Sequence, residues 1–444
     1  MMNCFFRTAF LLALSVGAAG FATAGQVSYR IVAYMDQYDQ PAGFVEGSPS
    51  VFYGISGSVT TVGFSITPQG LMTILASFPS GQNIQSLFVA GSNGLFYSSV
   101  QLSDDPASVF SVTSKPGQQH VYPPQELGAA LNQSLPDGDF LAVATELVGT
   151  VIQYYIATVD VNGVVTAVAQ FPPNELTDTL PIRANDGNYY GLAEPTTAST
   201  GYVFRVTPSG AMTTLHSFPS GTFLDSFPAP LLQADDGNLY GVAPQAGANG
   251  AGIIYKLTLD GQYTLLYTFP DLNSGGPTAL IEGSDGNLYG ATLGTFVDGG
   301  FGQFFRISKS GEFESLYSLS EPARDGVCMC NMVLGSDGII YGTTQGGGLT
   351  GAGAVFALDV GLPKPRPWAK EFGPQSGPAG TRVRIWGSNL LSPSVQFNGV
   401  PAVAVAGSGP NYVWATVPVG ATTGPITVTT PGGTNTTHAS FTVQ

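Results

Sequence analysis

A five-residue phrase recurs along this chain and constrains its fold more than any other feature. It reads Gly-Asn-Leu-Tyr-Gly at 237–241 and again at 286–290, with looser copies at 187–191 and 338–342. Degraded copies place the tyrosine position at residues 53, 97 and 141, so that the copies follow one another at intervals of 44 to 52 residues. A period of this length with strand-like content is typical of a β-propeller.

One copy shows how each repeat is expected to fold. Between 231 and 269, four short apolar stretches alternate with connecting segments. The first connection (235–238) and the third (260–261) contain Asp-Gly, which accepts the positive φ of a tight hairpin turn. The second connection (245–250) is longer. The pattern therefore predicts four antiparallel strands in each blade.

The two ends of the repeat region complement each other. The stretch 27–34 has the pattern of a fourth strand, whereas the last repeat stops after a third strand at 354–358. The N-terminal strand is therefore expected to complete the last blade, which closes the ring and removes exposed sheet edges. This count predicts an all-β protein in which residues 25–360 form a seven-bladed β-propeller.

The N-terminal segment indicates export. Arg7 precedes an apolar run from Thr8 to Phe21, and the small residues 22–24 follow it. This pattern is typical of a secretory signal peptide, here residues 1–24. The apolar run is short for a membrane span. We expect a secreted or periplasmic bacterial protein, a monomer without a membrane span.

Charge and cysteine content limit the partners. The formal net charge of −15 repels phosphate backbones, so we expect no nucleic-acid partner. Cys328 and Cys330 have no nearby histidine or third cysteine, which favours a local disulfide over a soft-metal site, with two inert thiols as a further alternative. We predict neither a metal site nor a cofactor.

Loop lengths predict where function lies. The long connections, from strand two to strand three and from blade to blade, should gather on one face of the propeller, and loops carry most binding chemistry. Polar and aromatic residues outside the repeat pattern are the candidates on that long-loop face. They are Asp36, Tyr38, Asp39, Asp104, Asp105, Glu194, Phe223, Asp225, Asp298, Arg324 and Asp325.

These candidates allow three interpretations. Acids and aromatics together bind glycans, paired carboxylates cleave them, and a solvated acidic rim does neither. Four further aspartates recur at one repeat position before the turn glycine, where a side-chain hydrogen bond to the backbone is expected to stabilise the turn. They are Asp186, Asp236, Asp285 and Asp337.

The repeat phrases resemble a known family. Together with the segments 203–210 and 214–218, they are similar to the GloVer tandem repeats of exported bacterial proteins, most clearly from about 180 to 358. The similarity is fainter from 44 to 170, where Ser98 and Ala142 replace the last glycine of the phrase. The resemblance implies export and repeats, without a firm activity.

A second similarity concerns the blade turn alone. Propeller lyases that open streptogramin antibiotics also repeat an Asp-Gly-Asn-Leu-aromatic phrase. His216 lies in a blade strand and His438 in another domain, so the histidines of this chain are poorly placed for that chemistry.

Composition changes towards the C-terminus. Three prolines make residues 361–371 a semi-rigid linker, and short alternating stretches then predict a small β-sandwich. Their order over 372–444 resembles the IPT/TIG family of immunoglobulin-like domains, which implies a spacer or adhesion module. We expect three aromatic residues in its core, with surface binding as their alternative role: Trp386, Phe397 and Trp414.

The sequence thus favours an exported, non-catalytic binding protein whose loop-rich acidic propeller face meets polysaccharide or protein. The first alternative is a propeller enzyme, a lyase or a glycoside-active protein, that uses carboxylates on the same face. The second alternative is a structural envelope or matrix component.

The export hypothesis predicts where the mature chain begins. If the signal peptide is removed after Ala24, the exported protein should start near Gly25. N-terminal sequencing and intact mass after expression in a bacterial host would measure this. A full-length product retained inside the cell would contradict it.

Overall fold

The computed structural model describes residues 27–35, 41–56, 61–78, 82–84, 86, 88–102, 108–122, 128–149, 151–173, 175–177, 180–195, 201–218, 230–247, 249–293, 302–319, 327–348, 351–403 and 405–444. Over these residues every regular element is a β-strand. The predicted signal peptide, residues 1–24, lies outside the described residues.

Strands between 28 and 359 form seven antiparallel sheets, as far as the chain is described. Sheets I to VI follow one another along the chain. Sheet I contains β2 (Pro41–Ser48), β3 (Val51–Ser56), β4 (Val62–Ile66) and β5 (Met72–Ser77). Sheet II contains β6 (Gln82–Ile84), β7 (Val89–Ala90), β8 (Phe96–Leu102), β9 (Ser108–Val112) and β10 (Gln119–Val121). Sheet III contains β11 (Gly128–Ser134), β12 (Phe140–Val148), β13 (Val151–Val159) and β14 (Val165–Gln170).

The next three sheets repeat this order. Sheet IV contains β15 (Glu175–Leu176), β16 (Ile182–Arg183), β17 (Tyr189–Pro195), β18 (Tyr202–Val206) and β19 (Met212–Ser217). Sheet V contains β20 (Leu232–Gln233), β21 (Leu239–Ala243), β22 (Ile253–Leu257) and β23 (Tyr263–Thr268). Sheet VI contains β24 (Pro277–Glu282), β25 (Leu288–Thr292), β26 (Gln303–Ile307) and β27 (Phe313–Ser318).

Sheet VII joins the two ends of the repeat region. It contains β28 (Val327–Leu334), β29 (Ile340–Gly346), β30 (Ala354–Asp359) and, as its outer strand, β1 (Ser28–Tyr34). Strand β1 lies antiparallel to β30, where the repeat pattern places a fourth strand. Cys328 and Cys330 lie in β28, but their side chains are outside the described part, so the disulfide stays a prediction.

Buried clusters join each sheet to the next. Among the described residues, seven clusters each combine side chains from two consecutive sheets, and one of them packs sheet VII against sheet I. In that cluster the rings of Phe52 and Tyr341 lie 4.4 Å apart. The protein therefore has a β-propeller-like, repeat-containing all-β fold.

The recurring phrase is a turn followed by a strand. In sheet V, Gly237 has a φ of 81° and Asn238 donates its N–H to Asp236 Oδ1 at 3.1 Å. The hydroxyl of Tyr240 donates to Asp236 Oδ2 at 2.8 Å. The same tyrosine–aspartate bond recurs in Tyr190–Asp186, Tyr289–Asp285 and Tyr341–Asp337. The structural role predicted for the four recurring aspartates is thus confirmed.

The last glycine of the phrase makes room for an aromatic ring. Gly290 pairs across the sheet with Phe305, and a Cβ at Gly290 would lie 2.0 Å from that ring. Equivalent pairs, with approaches of 2.2 to 2.5 Å, are Gly191–Phe204, Gly241–Tyr255 and Gly342–Phe356. In sheet III the glycine is replaced by Ala142, and its partner is Ala157 instead of an aromatic residue. Sheet II differs, because Ser98 stands opposite Phe110 there. In sheets IV to VII the glycine and the ring therefore share one volume.

One loop assignment is wrong. The repeat pattern predicts a long connection between strands two and three in every blade. In sheet III, however, Val148 pairs directly with Val151, so the two nine-residue strands β12 and β13 form a tight hairpin. The side chains at the tip of this hairpin are apolar and exposed, so the sequence pattern there is typical of a strand and does not indicate a turn.

The C-terminal module consists of two sheets around one core. One sheet contains β31 (Trp368–Gly373), β33 (Arg382–Ser388), β36 (Val405–Gly409) and β37 (Tyr412–Thr416). The other contains β32 (Ser376–Gly377), β34 (Ser394–Phe397), β35 (Val400–Pro401), β38 (Gly424–Thr430) and β39 (Gly433–Val443). Phe397 lies in this core as predicted, whereas Trp386 is buried outside the core cluster and lines the space between the module and the repeated sheets. Strand β31 begins inside the segment predicted as linker, because Trp368 already pairs with Ser388.

The shared volume of glycine and ring can be tested by a double-mutant cycle. Gly290→Ala should cost about 1 to 3 kcal/mol through overpacking, and Phe305→Ala about 3 to 5 kcal/mol through the cavity it leaves. Together they recreate the alanine pair of sheet III, so the double variant should lose less than the two single losses combined. Urea unfolding of the mature protein measures all three. Strictly additive losses would contradict the shared volume.

Candidate functional site

The C-terminal module packs on the turns between the first and second strands of the sheets. Trp414 Nε1 donates to the carbonyl of Ser92 at 3.2 Å, and Arg384 Nη2 donates to the carbonyl of Leu135 at 3.2 Å. The guanidinium of Arg382 lies 4.7 Å from the Trp414 ring centroid. Trp414, predicted for the module core, thus belongs to this contact, and both arginines pack against it.

A cleft of roughly 790 Å³ lies beside these contacts, between the module and the turns of sheets III to VII. The first strands of the sheets supply one wall, and residues 365–368 with neighbouring loops of the module supply the other. The volume is within the range of about 300–1,000 Å³ that small-molecule sites occupy. We call this space the inter-module cleft.

An aromatic surface opens into the inter-module cleft. Trp368 lines it and is 38% exposed, unusually high for a tryptophan. The backbone around Trp368 is held in place, because Ala369 donates its N–H to Asn435 Oδ1 at 3.0 Å and Asn389 Nδ2 donates to the carbonyl of Arg366 at 3.0 Å. The cleft therefore offers a flat ring on a supported strand.

The two carboxylates of the inter-module cleft are already engaged. Lys309 forms ion pairs with both Asp235 and Glu282, and Glu282 Oε2 accepts the backbone N–H of Asp235 at 2.9 Å. The hydrogen bond from Lys309 lowers the pKa of Asp235, whereas burial raises the pKa of Glu282 against the opposing effect of Lys309. These acids connect sheets V and VI through Lys309.

Glu282 has counterparts that sequence reasoning missed. Gln233 Oε1 accepts the N–H of Asn185 at 2.7 Å, and Glu46 Oε2 accepts the N–H of Ser336 at 2.7 Å. Each such bond runs from the first strand of one sheet to the turn of the sheet before it, and the Glu46 bond links sheet I to sheet VII. The available signal was a polar residue in an otherwise apolar strand, four positions before the positive-φ residue of the turn (Ser50, Gly237 or Gly286).

Cationic side chains also line the inter-module cleft. Arg183 Nη1 lies 3.2 Å from Glu371 Oε1, and Lys370 Nζ lies 5.7 Å from the Trp368 ring centroid. Burial, and then the nearby charge of Arg183, lower the pKa of Lys370. Arg366 is exposed at the module side of the cleft.

The site residues predicted from sequence are elsewhere. Of the candidates on the long-loop face, Glu194 alone falls on described residues, in β17, where it pairs with Leu176. The remaining ones lie outside the described residues: Asp36, Tyr38, Asp39, Asp104, Asp105, Phe223, Asp225, Asp298, Arg324 and Asp325. The long-loop face stays a prediction, and its described candidate, Glu194, does not line the inter-module cleft.

The described residues contain neither a cluster of metal-ligating side chains nor a helix that could span a membrane. They contain no group of three or more His, Cys, Asp or Glu side chains arranged to hold a metal ion. No helix long and apolar enough to cross a bilayer is present among them.

Comparison with known proteins supports the repeat family over part of the chain. Residues 172–365 match the family described as the Gloeobacter/Verrucomicrobia repeat. This match supports the resemblance seen in the repeat phrases and does not extend to the C-terminal module. No curated protein matches the chain.

Solved structures resemble the fold. A fungal alcohol oxidase of the AA5 family, in complex with copper, aligns at 12% identity over 95% of this chain and 99% of its own, with a TM-score of 0.50. An oligogalacturonate lyase in complex with manganese aligns at 13% identity over 76% and 97%, with a TM-score of 0.49. The oligogalacturonate lyase of Vibrio parahaemolyticus aligns at 11% identity over 76% and 98%, with a TM-score of 0.47. At these identities the likeness concerns the fold alone.

The bond between sheets I and VII gives a stability test. Glu46→Ala leaves the N–H groups of Ser50 and Ser336 without their acceptor, so near pH 4.5 it should cost about 1 to 3 kcal/mol. Glu312→Ala, at an exposed position, is the control and should change little. Thermal unfolding of the mature protein measures both.

The same variant has a predicted pH dependence. Burial raises the pKa of Glu46 above its ordinary value, so the folded protein holds this proton to higher pH than the unfolded chain does. The stabilisation by Glu46 is therefore fully present below about pH 4.5 and declines as pH rises through the folded pKa. The deficit of Glu46→Ala should shrink in the same direction. A deficit that grows with pH would contradict this assignment.

Proposed function

We propose that the protein is an exported, non-catalytic glycan-binding protein that holds its ligand in the inter-module cleft. In this proposal the seven sheets are the blades of a closed propeller and the C-terminal module is an immunoglobulin-like domain. Export rests on the signal-peptide pattern of residues 1–24. The propeller-like scaffold and the repeat family are compatible with many activities, so the function is argued from the cleft.

One observation carries the proposal. The inter-module cleft combines an exposed tryptophan with carboxylates that are already bound by Lys309 and by backbone N–H groups. An aromatic ring among polar groups suits the apolar face and hydroxyls of a sugar. Acid–base cleavage of a glycan needs two carboxyl groups that are available to the scissile bond. In the inter-module cleft Lys309 bridges Asp235 and Glu282, and on this ground we assign the two acids a structural role.

The site differs from the one that the loop lengths predict. Both hypotheses name polysaccharide as the ligand, but the cleft lies on the side of the short turns. There the C-terminal module supplies one wall, so binding depends on both parts of the chain.

Trp368 is the residue to test. Retention of the mature protein on a panel of insoluble polysaccharides should identify a ligand, and Trp368→Ala should weaken its binding about tenfold, roughly 1.4 kcal/mol. Leu265→Ala removes an exposed apolar side chain outside the cleft and should bind normally. Soluble fragments of the retained glycan should be recovered intact.

Three outcomes would contradict the proposal. If no polysaccharide retains the protein, glycan is not the ligand. If Trp368→Ala and Leu265→Ala lose binding affinity equally, the inter-module cleft is not the site. Shortened or unsaturated products, detected by mass spectrometry, would favour the propeller enzyme.

A further inference from the structure

The inter-module cleft concentrates positive charge in an acidic protein. The chain has a formal net charge of −15 and only 14 lysines and arginines, yet Arg183, Arg366 and Lys370 line this one cleft. Its two acids, Asp235 and Glu282, share the ion pairs of Lys309. The cations on the module side, Arg366 and Lys370, therefore form no ion pair with the acids that line the cleft.

Lys370 is the centre of this charge. No ion pair to Lys370 or Arg366 is formed within the part of the chain that the structure describes. Arg183 is close enough for its charge to act on Lys370, and Glu371, which pairs with Arg183, also acts on Lys370. Asp186, which also faces Lys370, is committed to Tyr190 and Asn188 in its turn.

The aromatic ring and the charge are adjacent. Lys370 Nζ lies 5.7 Å from the centroid of Trp368, whose ring is partly exposed to the cleft. A ligand that covers this ring would therefore bring its substituents next to the ammonium group. An oxyanion at that point would offset the repulsion between Lys370 and Arg183 in a partly desolvated place, where charge pairs are stronger than in water.

We propose that the inter-module cleft selects acidic oligosaccharides, binding a sugar carboxylate with Lys370, Arg366 and Arg183 while a sugar ring packs on Trp368. This inference rests on the proposed function and names the class of glycan. Neutral glycans would use the ring alone, and acidic peptides would use the cations without it.

A matched pair of ligands tests the charge. Trigalacturonate and its methyl ester have the same rings and differ in their carboxylates. By isothermal titration calorimetry with the mature protein, we expect trigalacturonate to bind at least tenfold more tightly than the ester, with an affinity that falls as salt rises. Triglutamate has the carboxylates without sugar rings and should bind at least tenfold more weakly.

Matched variants test the position. Lys370→Gln should weaken trigalacturonate at least tenfold and leave the ester unchanged, whereas Lys115→Gln, at an exposed turn outside the cleft, should change neither. Arg366→Gln is the second variant, since this exposed side chain can be replaced even if Lys370→Gln does not fold. It should weaken trigalacturonate severalfold.

Each contrary result has a separate meaning. If the ester binds as tightly as trigalacturonate, selection for acidic sugars is wrong and glycan binding stands. If triglutamate binds equally well, the cleft recognises acidic chains in general and the inference fails. If both cleft variants bind trigalacturonate normally, the carboxylate is elsewhere. If no oligosaccharide binds, this inference and the proposed function fail together.

Discussion

The close approach of a glycine to an aromatic ring is the contact on which sheets IV to VII depend. At Gly290 the second strand has no side chain, and the ring of Phe305 from the third strand occupies the space. That ring then reaches the next interface, because Phe305 belongs to the cluster that packs sheet V against sheet VI. A single glycine thus connects pairing within a sheet to packing between sheets, which explains why the phrase is repeated so closely.

Polar contacts add a second set of connections between the sheets. The turn aspartates hold the tyrosines of their own repeat, and the first-strand acceptors Glu46, Gln233 and Glu282 reach the turn of the sheet before. Buried polar groups are costly unless they are paired, so these acceptors fix how successive sheets sit together. The first strands that carry Gln233 and Glu282 also form part of a wall of the inter-module cleft, so the contacts between sheets and the lining of the cleft share these residues.

The sequence predicts much of the scaffold and little of the cleft. Period, turn chemistry and strand pattern predict the sheets and the turn role of Asp236, since both depend on neighbours within one repeat. The same pattern predicts the place of the N-terminal strand next to β30, because that strand completes the last repeat. The cleft depends on pairs such as Leu135 and Arg384, which no local pattern connects. Lys370 falls within the predicted linker and Arg384 among the strands of the C-terminal module, so neither was a candidate for a site.

The central claim is that ligand binds between the two parts of the chain, on the side of the short turns. Hydrogen–deuterium exchange of the mature protein, with and without a saturating oligosaccharide, tests this most directly. The account predicts slower exchange in peptides that cover 182–185 and 365–370, on both walls of the inter-module cleft. Protection confined to peptides that cover 219–229 and 294–301, which contain candidates of the long-loop face, would contradict it.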